Sequence, residues 1–137
     1  MLMAMHVFNG LFMVVFPVVL TVVLARRLKL PWWPLVSIGA ATFILSQVVR
    51  LPLLQGLTLL LPKEWFEAWS SDGLFWFNVL ILSLTAGIFE EGARYLVYRF
   101  WIKKARTFNE GMLFGAGHGG VEALILGGLV IVTLINM

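Results

Sequence analysis

Five ionisable residues lie inside apolar stretches of the chain, where charged side chains are costly. Glu90, Glu91 and Arg94 fall within one stretch, and His118 and Glu122 fall within the next. A charge at the centre of a membrane helix costs about 2.5–3.5 kcal/mol on insertion scales, so such residues normally face a protein interior or a water-filled cavity. A carboxylate and a histidine held together can activate water, which is the chemistry of amide hydrolysis.

The spacing of these residues predicts which of them interact within one helix. Glu90 and Arg94 are four residues apart and Glu91 and Arg94 are three apart, so one arginine can neutralise one carboxylate and leave the other available. His118 and Glu122 are again four apart, so that Glu122 can hold the imidazole in one tautomer.

The depth of the two groups can also be compared. Glu90 precedes Ala105, in a short basic connection, by fifteen residues, and His118 follows it by thirteen. At about 1.5 Å per residue, both lie roughly 20 Å along their helices from that connection. Two antiparallel neighbouring helices would therefore bring Glu90 or Glu91 level with His118.

Other hydrolytic chemistries fit the sequence less well. The chain has no cysteine, and Asp72 is its only aspartate, so thiol catalysis and an aspartyl pair are excluded. No HExxH zinc motif occurs. A zinc site built from Glu90 or Glu91 with His118 and Glu122 is not excluded, but its single imidazole makes it less favoured than a site without a cofactor.

Several residues also have simpler interpretations. Arg94 can be a structural partner of a carboxylate, and His118 can be an ordinary buried histidine. A glycine stripe (Gly111, Gly115 and Gly119) favours close helix packing, although it can also leave room for a substrate backbone beside His118. A second polar site is formed by Gln47 and Arg50; a carboxylate (Glu91 or Glu122) or lipid headgroups are its candidate partners.

The composition predicts the elements that must carry these residues. Hydrophobic residues make up 61% of the chain and charged residues 12%, whereas soluble domains carry about 25% charged residues. We therefore predict an all-α, polytopic integral membrane protein, with one transmembrane domain over residues 1–137 and four spans at about 2–25, 34–61, 74–102 and 110–135. Pro52 is expected to kink the second span.

Basic residues predict the orientation in the cell membrane. Those after span one and around the end of span three (Arg26, Arg27, Lys29, Arg99, Lys103, Lys104 and Arg106) contrast with the single Lys63 between spans two and three. The positive-inside rule then places both basic clusters in the cytoplasm and the N-terminus outside. Because the cations sit at helix ends, the net charge of +3 does not indicate a nucleic-acid partner.

The two motifs resemble those of a known family. Glu90-Glu91-Gly92-Ala93-Arg94 followed by Phe114-x-x-x-His118-Gly119-Gly120-x-Glu122-Ala123 resembles the YhfC-type membrane proteins. These look related to the CAAX prenyl protease and bacteriocin-processing superfamily and to the PrsW proteases. The resemblance implies a bacterial glutamic-type intramembrane endopeptidase that acts on membrane proteins or peptides.

The resemblance also implies roles for the five residues. By motif position, Glu90 matches the water-activating glutamate, Glu91 and Arg94 its supporting pair, and His118 the histidine of the second motif. Glu122 matches an acidic residue that some branches carry four positions later.

One departure bears on activity. The family's third motif, with a second histidine and an asparagine, has no counterpart here, because Asn136 lies too far along the last helix from His118. We therefore expect a C-terminally truncated family member. Two alternatives to a peptidase stay open: a proton-coupled transporter or channel component, and a non-enzymatic membrane subunit whose charges lock helices together.

Overall fold

The chain folds into four long helices, described by a computed structural model over residues 2–62, 64 and 69–136. Helix α1 is Leu2–Leu28, α2 is Trp32–Leu60, α3 is Ser71–Leu96 and α4 is Phe108–Ile135, and a π-helical turn at Val97–Trp101 extends α3. The four segments are long and apolar enough to cross a membrane. The predicted all-α, multi-pass class is therefore confirmed. Lys63, on which the predicted orientation partly depends, lies outside the described residues.

Capping explains why α3 and α4 begin two or three residues earlier than the apolar pattern predicts. Ser70 precedes α3 and its hydroxyl accepts a hydrogen bond from the Gly73 N–H at 3.1 Å. Thr107 and Glu110 form a reciprocal capping box before α4, in which the Thr107 N–H donates to Glu110 Oε2 at 2.9 Å. Both caps satisfy N–H groups that a helix start leaves without a partner in the helix.

The connection between α1 and α2 is shorter than predicted. Helix α1 continues through Arg26 and Arg27 to Leu28, where cations suit the negative end of the helix dipole. Lys29 then adopts a left-handed conformation with φ of 52°, which ends the helix. Helix α2 begins at Trp32 because Pro34 falls in its first turn, where no N–H is needed.

The chain divides into two compact units. The first unit contains residues 1–43 and 102–137, and the second contains residues 44–101. Helix α2 contributes its first part to one unit and its second part to the other, and it remains helical through Pro52. The kink expected at Pro52 and the single-domain organisation stay predictions.

In the first unit, α1 packs along α4 through two glycines. A Cβ at Gly127 would lie 2.9 Å from the Met13 Cβ and 3.1 Å from the Gly10 carbonyl oxygen, and a Cβ at Gly10 would lie 3.1 Å from Ile131 Cγ1. The backbones of α1 and α4 therefore approach more closely than they could with any side chain larger than hydrogen at Gly10 and Gly127. Small residues permit such close packing in membrane helices.

The first part of α2 packs against α4 even more closely. A Cβ at Gly117 would overlap the Val36 carbonyl, and a Cβ at Gly39 would overlap the Phe114 carbonyl. Two side chains of α4 beside this contact are almost fully buried, with Leu113 0% and Phe114 2% exposed. This contact therefore sets the position of α4, which carries His118.

Large apolar side chains cover the outside of the helices. Phe8 is 71% exposed on α1, Leu59 is 86% exposed on α2 and Leu80 is 63% exposed on α3. Such contiguous apolar surface is far more than a soluble protein exposes. The described helices therefore present their apolar surface to lipid, as a multi-pass membrane protein requires.

Candidate functional site

The five candidate residues are distributed over the two units. Glu90, Glu91 and Arg94 lie on α3 in the second unit, and His118 and Glu122 lie on α4 in the first. The matched depth of Glu90 and His118 stays a prediction from the sequence.

Arg94 forms an ion pair with Glu91. Arg94 Nη1 donates to Glu91 Oε1 at 2.6 Å, and the two side chains are 37% and 66% exposed. The residues are three positions apart on α3, so helix geometry alone brings them together. The sequence left open which carboxylate Arg94 would neutralise, and the structure assigns it to Glu91.

Glu90 instead interacts with α2. Gln47 Nε2 donates a hydrogen bond to Glu90 Oε1 at 3.1 Å. Both side chains are half-buried. The two adjacent carboxylates therefore bind different side chains: Arg94 pairs with Glu91, and the Gln47 amide donates to Glu90.

The side-chain oxygen of Gln47 accepts a hydrogen bond from Arg50, which also binds α3. Arg50 Nη1 donates to Gln47 Oε1 at 3.1 Å, Arg50 Nη2 donates to the Leu82 carbonyl at 2.8 Å, and Arg50 Nε donates to Thr85 Oγ1 at 3.2 Å. The sequence identified Gln47 and Arg50 as a polar pair but did not identify this arrangement. Thr85 was not singled out, because an isolated threonine in an apolar helix gives no signal.

His118 occupies an aromatic environment in the first unit. It is 4% exposed, with its ring edge-on to Phe43 at a centroid distance of 5.4 Å and nearly parallel to Phe114 at 6.2 Å. These contacts fix the plane of the imidazole. Glu122, one turn further along α4, is half-buried, and its predicted effect on the tautomer of His118 stays a prediction.

The packing interpretation of the glycine stripe is wrong for two of its members. A Cβ on Gly115 or Gly119 would meet no atom within 4 Å among the described residues, whereas Gly117 makes the close contact instead. Gly115 and Gly119 line a cleft of about 340 Å³ between α1 and α4, with Phe16 and Leu20 on the opposite side. The alternative interpretation, that these glycines leave space, agrees with this cleft.

The fold and these residues define a multi-pass membrane protein that holds carboxylates and a histidine within its apolar helices. A family model described as "YhfC intramembrane metalloprotease" matches residues 12–137. The chain belongs to this YhfC family.

A curated relative supports the assignment. The chain is 54% identical over 52 residues to the "Uncharacterized membrane protein YhfC" of Bacillus subtilis (strain 168). The matched stretch covers 38% of this chain and 20% of that protein. No solved structure matches the chain.

The family description names a metalloprotease, and such an enzyme needs side chains that can hold a metal ion. A catalytic zinc usually takes three protein ligands and one water. Within residues 2–62, 64 and 69–136, no three His, Cys, Asp or Glu side chains come together in such a group. The described residues of either unit alone therefore do not fit a metal ion.

Proposed function

We propose that this chain carries the water-activating part of an intramembrane endopeptidase. Glu90 acts as the general base and His118 assists by hydrogen bonding or proton transfer. The observation that carries the proposal is the hydrogen bond by which Gln47 Nε2 orients the Glu90 carboxylate at 3.1 Å, while Arg94 pairs with the neighbouring Glu91 at 2.6 Å. A general base needs a carboxylate that is held in a defined orientation.

The proposed reaction follows from that role. Glu90 takes a proton from water, and the resulting hydroxide attacks the carbonyl carbon of a peptide bond. The C–N bond then breaks and the proton passes to the leaving amine. The pairing of Glu90 with His118 is inferred from their spacing around Ala105, and family membership supports peptide hydrolysis as the reaction.

The remaining assignments are also proposals. Lipid surrounds the helices, and the substrate is a membrane protein or peptide whose scissile bond enters the bilayer. The N-terminus lies outside the cell membrane and the basic connections lie in the cytoplasm. Among related proteases, the glutamic type and the kinship with the CAAX prenyl protease and bacteriocin-processing superfamily rest on the motifs Glu90-Glu91-x-x-Arg94 and Phe114-x-x-x-His118.

The test is cleavage of single-span membrane peptides by the chain reconstituted into liposomes. Glu90→Gln is expected to lower the cleavage rate about 10²–10⁴-fold, as loss of a general base does. Glu64→Gln, a matched change at an exposed glutamate outside α3, is expected to leave the rate unchanged. Undiminished cleavage by the Glu90→Gln variant would overturn the proposal.

A chelator distinguishes the glutamic mechanism from a metal mechanism. Cleavage that continues in 1,10-phenanthroline supports Glu90 as the base. Cleavage that stops and returns with added zinc contradicts the cofactor-free mechanism but keeps the peptidase. A pH-driven proton flux without any cleavage would instead favour the transporter alternative.

A further inference from the structure

Gln47 is hydrogen-bonded both to Glu90 and to Arg50. Its Nε2 donates to Glu90 Oε1 at 3.1 Å and its Oε1 accepts from Arg50 Nη1 at 3.1 Å. A guanidinium can only donate and an ionised carboxylate can only accept, so the amide has one orientation that satisfies both neighbours. The two contacts therefore determine how Gln47 is placed.

Arg50 is itself fixed on α3. Its Nη2 donates to the Leu82 carbonyl at 2.8 Å and its Nε donates to Thr85 Oγ1 at 3.2 Å. Thr85 keeps its hydroxyl hydrogen for the Ile81 carbonyl, at 2.7 Å, and can therefore accept from Arg50. The guanidinium thus spans from α2 to α3 through donors that point in three directions, a geometry that a lysine does not provide.

The helix register supports the same arrangement. Gln47 and Arg50 are three residues apart and share one face of α2. Their partners run in the opposite order on α3, with Glu90 opposite Gln47 and Thr85 opposite Arg50. This is the order expected of antiparallel helices, so the network belongs to the packing of α2 on α3.

We propose that Gln47 and Arg50 are positioning residues for Glu90, an inference that rests on the proposed role of Glu90 as base. Arg50 orients Gln47, and Gln47 fixes the rotamer of the Glu90 carboxylate. The amide of Gln47 therefore holds the Glu90 carboxylate through a chain of hydrogen bonds that Arg50 completes.

The first test measures cleavage kinetics. Gln47→Leu and Arg50→Met are expected to lower kcat about 10- to 100-fold with little change in KM, because a misplaced base slows the chemical step more than substrate binding. Arg50→Lys keeps the charge but loses the three-way geometry, so it should restore only part of the rate. Gln55→Leu, on an exposed position of α2, is the matched control and should be unaffected.

The second test does not depend on activity. A double-mutant cycle compares Gln47→Leu in the parent and in a Glu90→Leu background, by unfolding in detergent. Coupling of about tenfold in the folding equilibrium constant is expected, because hydrogen bonds to charged groups are among the stronger ones. Additive effects would overturn the Gln47–Glu90 contact and with it the inference.

The two tests separate the possible failures. Coupling in the cycle, loss of cleavage in Glu90→Gln and normal kcat in Gln47→Leu would overturn the positioning role and leave the proposed function standing. Full cleavage by Glu90→Gln would overturn the proposed function, whatever the cycle shows. If Gln47→Leu lowers kcat/KM only by raising KM, with kcat unchanged, that result would also contradict a role in positioning the base.

Discussion

Gly117 on α4 lies directly against the Val36 carbonyl of α2, so that a methyl group at position 117 would overlap the carbonyl oxygen. Gly39 faces the Phe114 carbonyl in the same way. These two reciprocal contacts let α2 and α4 touch through their backbones. His118 is adjacent to Gly117 in the chain, so its position depends on this contact.

Alanine at these glycines is expected to destabilise the protein. Gly117→Ala or Gly39→Ala requires α2 and α4 to move apart, and overpacking typically costs about 1–3 kcal/mol. Gly115→Ala is the matched control, because its Cβ would meet no described atom within 4 Å. Unfolding in detergent measures the difference, and equal stability of Gly117→Ala and Gly115→Ala would contradict the close contact.

Filling the cleft beside α4 is expected to affect turnover rather than stability. Gly119→Leu places a side chain in the cleft of about 340 Å³ lined by Phe16 and Leu20. If substrate uses this space, cleavage should fall at least tenfold with unchanged unfolding. Gly128→Leu is the control, since its Cβ would also meet no described atom within 4 Å. Normal cleavage by Gly119→Leu would argue against substrate in this cleft.

The packing and the chemistry of His118 are expected to be separable. His118→Phe places an aromatic ring beside Phe43 and Phe114, which are already ring neighbours of the histidine. The variant should therefore remain folded in detergent, whereas cleavage should fall about 10²-fold because the ring can no longer transfer a proton. Retained cleavage by a folded His118→Phe variant would show that the histidine is structural.

The topology can be tested with single cysteines, because the chain has none of its own. Asp72→Cys and Lys104→Cys introduce thiols at two exposed positions, one in the first turn of helix α3 and one after its end. A membrane-impermeant maleimide added to intact cells should label position 72 but not position 104, since the basic connection is expected to be cytoplasmic. The reverse pattern would show that the N-terminus lies inside.

Swapping Glu91 and Arg94 is expected to harm folding less than removing the charge of Arg94. Arg94→Gln leaves Glu91 without its partner at 2.6 Å in an apolar helix and should reduce the folded yield in membranes. The exchange Glu91→Arg with Arg94→Glu restores an ion pair at the same spacing and should recover much of that yield. The amount of folded protein recovered from membranes is measured for the Arg94→Gln variant and for the exchanged variant. If the exchanged variant folds no better than Arg94→Gln, the pair has a role beyond charge compensation.

The sequence determined the local features of this protein. Long apolar runs specify four helices because each must satisfy its own backbone in a membrane. The Glu91–Arg94 pair follows from a spacing of three residues, and the Thr107–Glu110 cap follows from the same spacing at a helix start. Such contacts depend only on helix geometry, which is the same wherever the helix lies.

Only the tertiary structure decided which helix faces meet. Gln47 and Glu90 are 43 residues apart in the chain, and nothing in either local pattern specifies their hydrogen bond. The glycine of α4 that packs against α2 is Gly117 rather than Gly115 or Gly119, although all three are small. Successive residues point about 100° apart around a helix, so the rotation of α2 against its neighbours selects the contacting residues. That rotation is set by the packing of many side chains together.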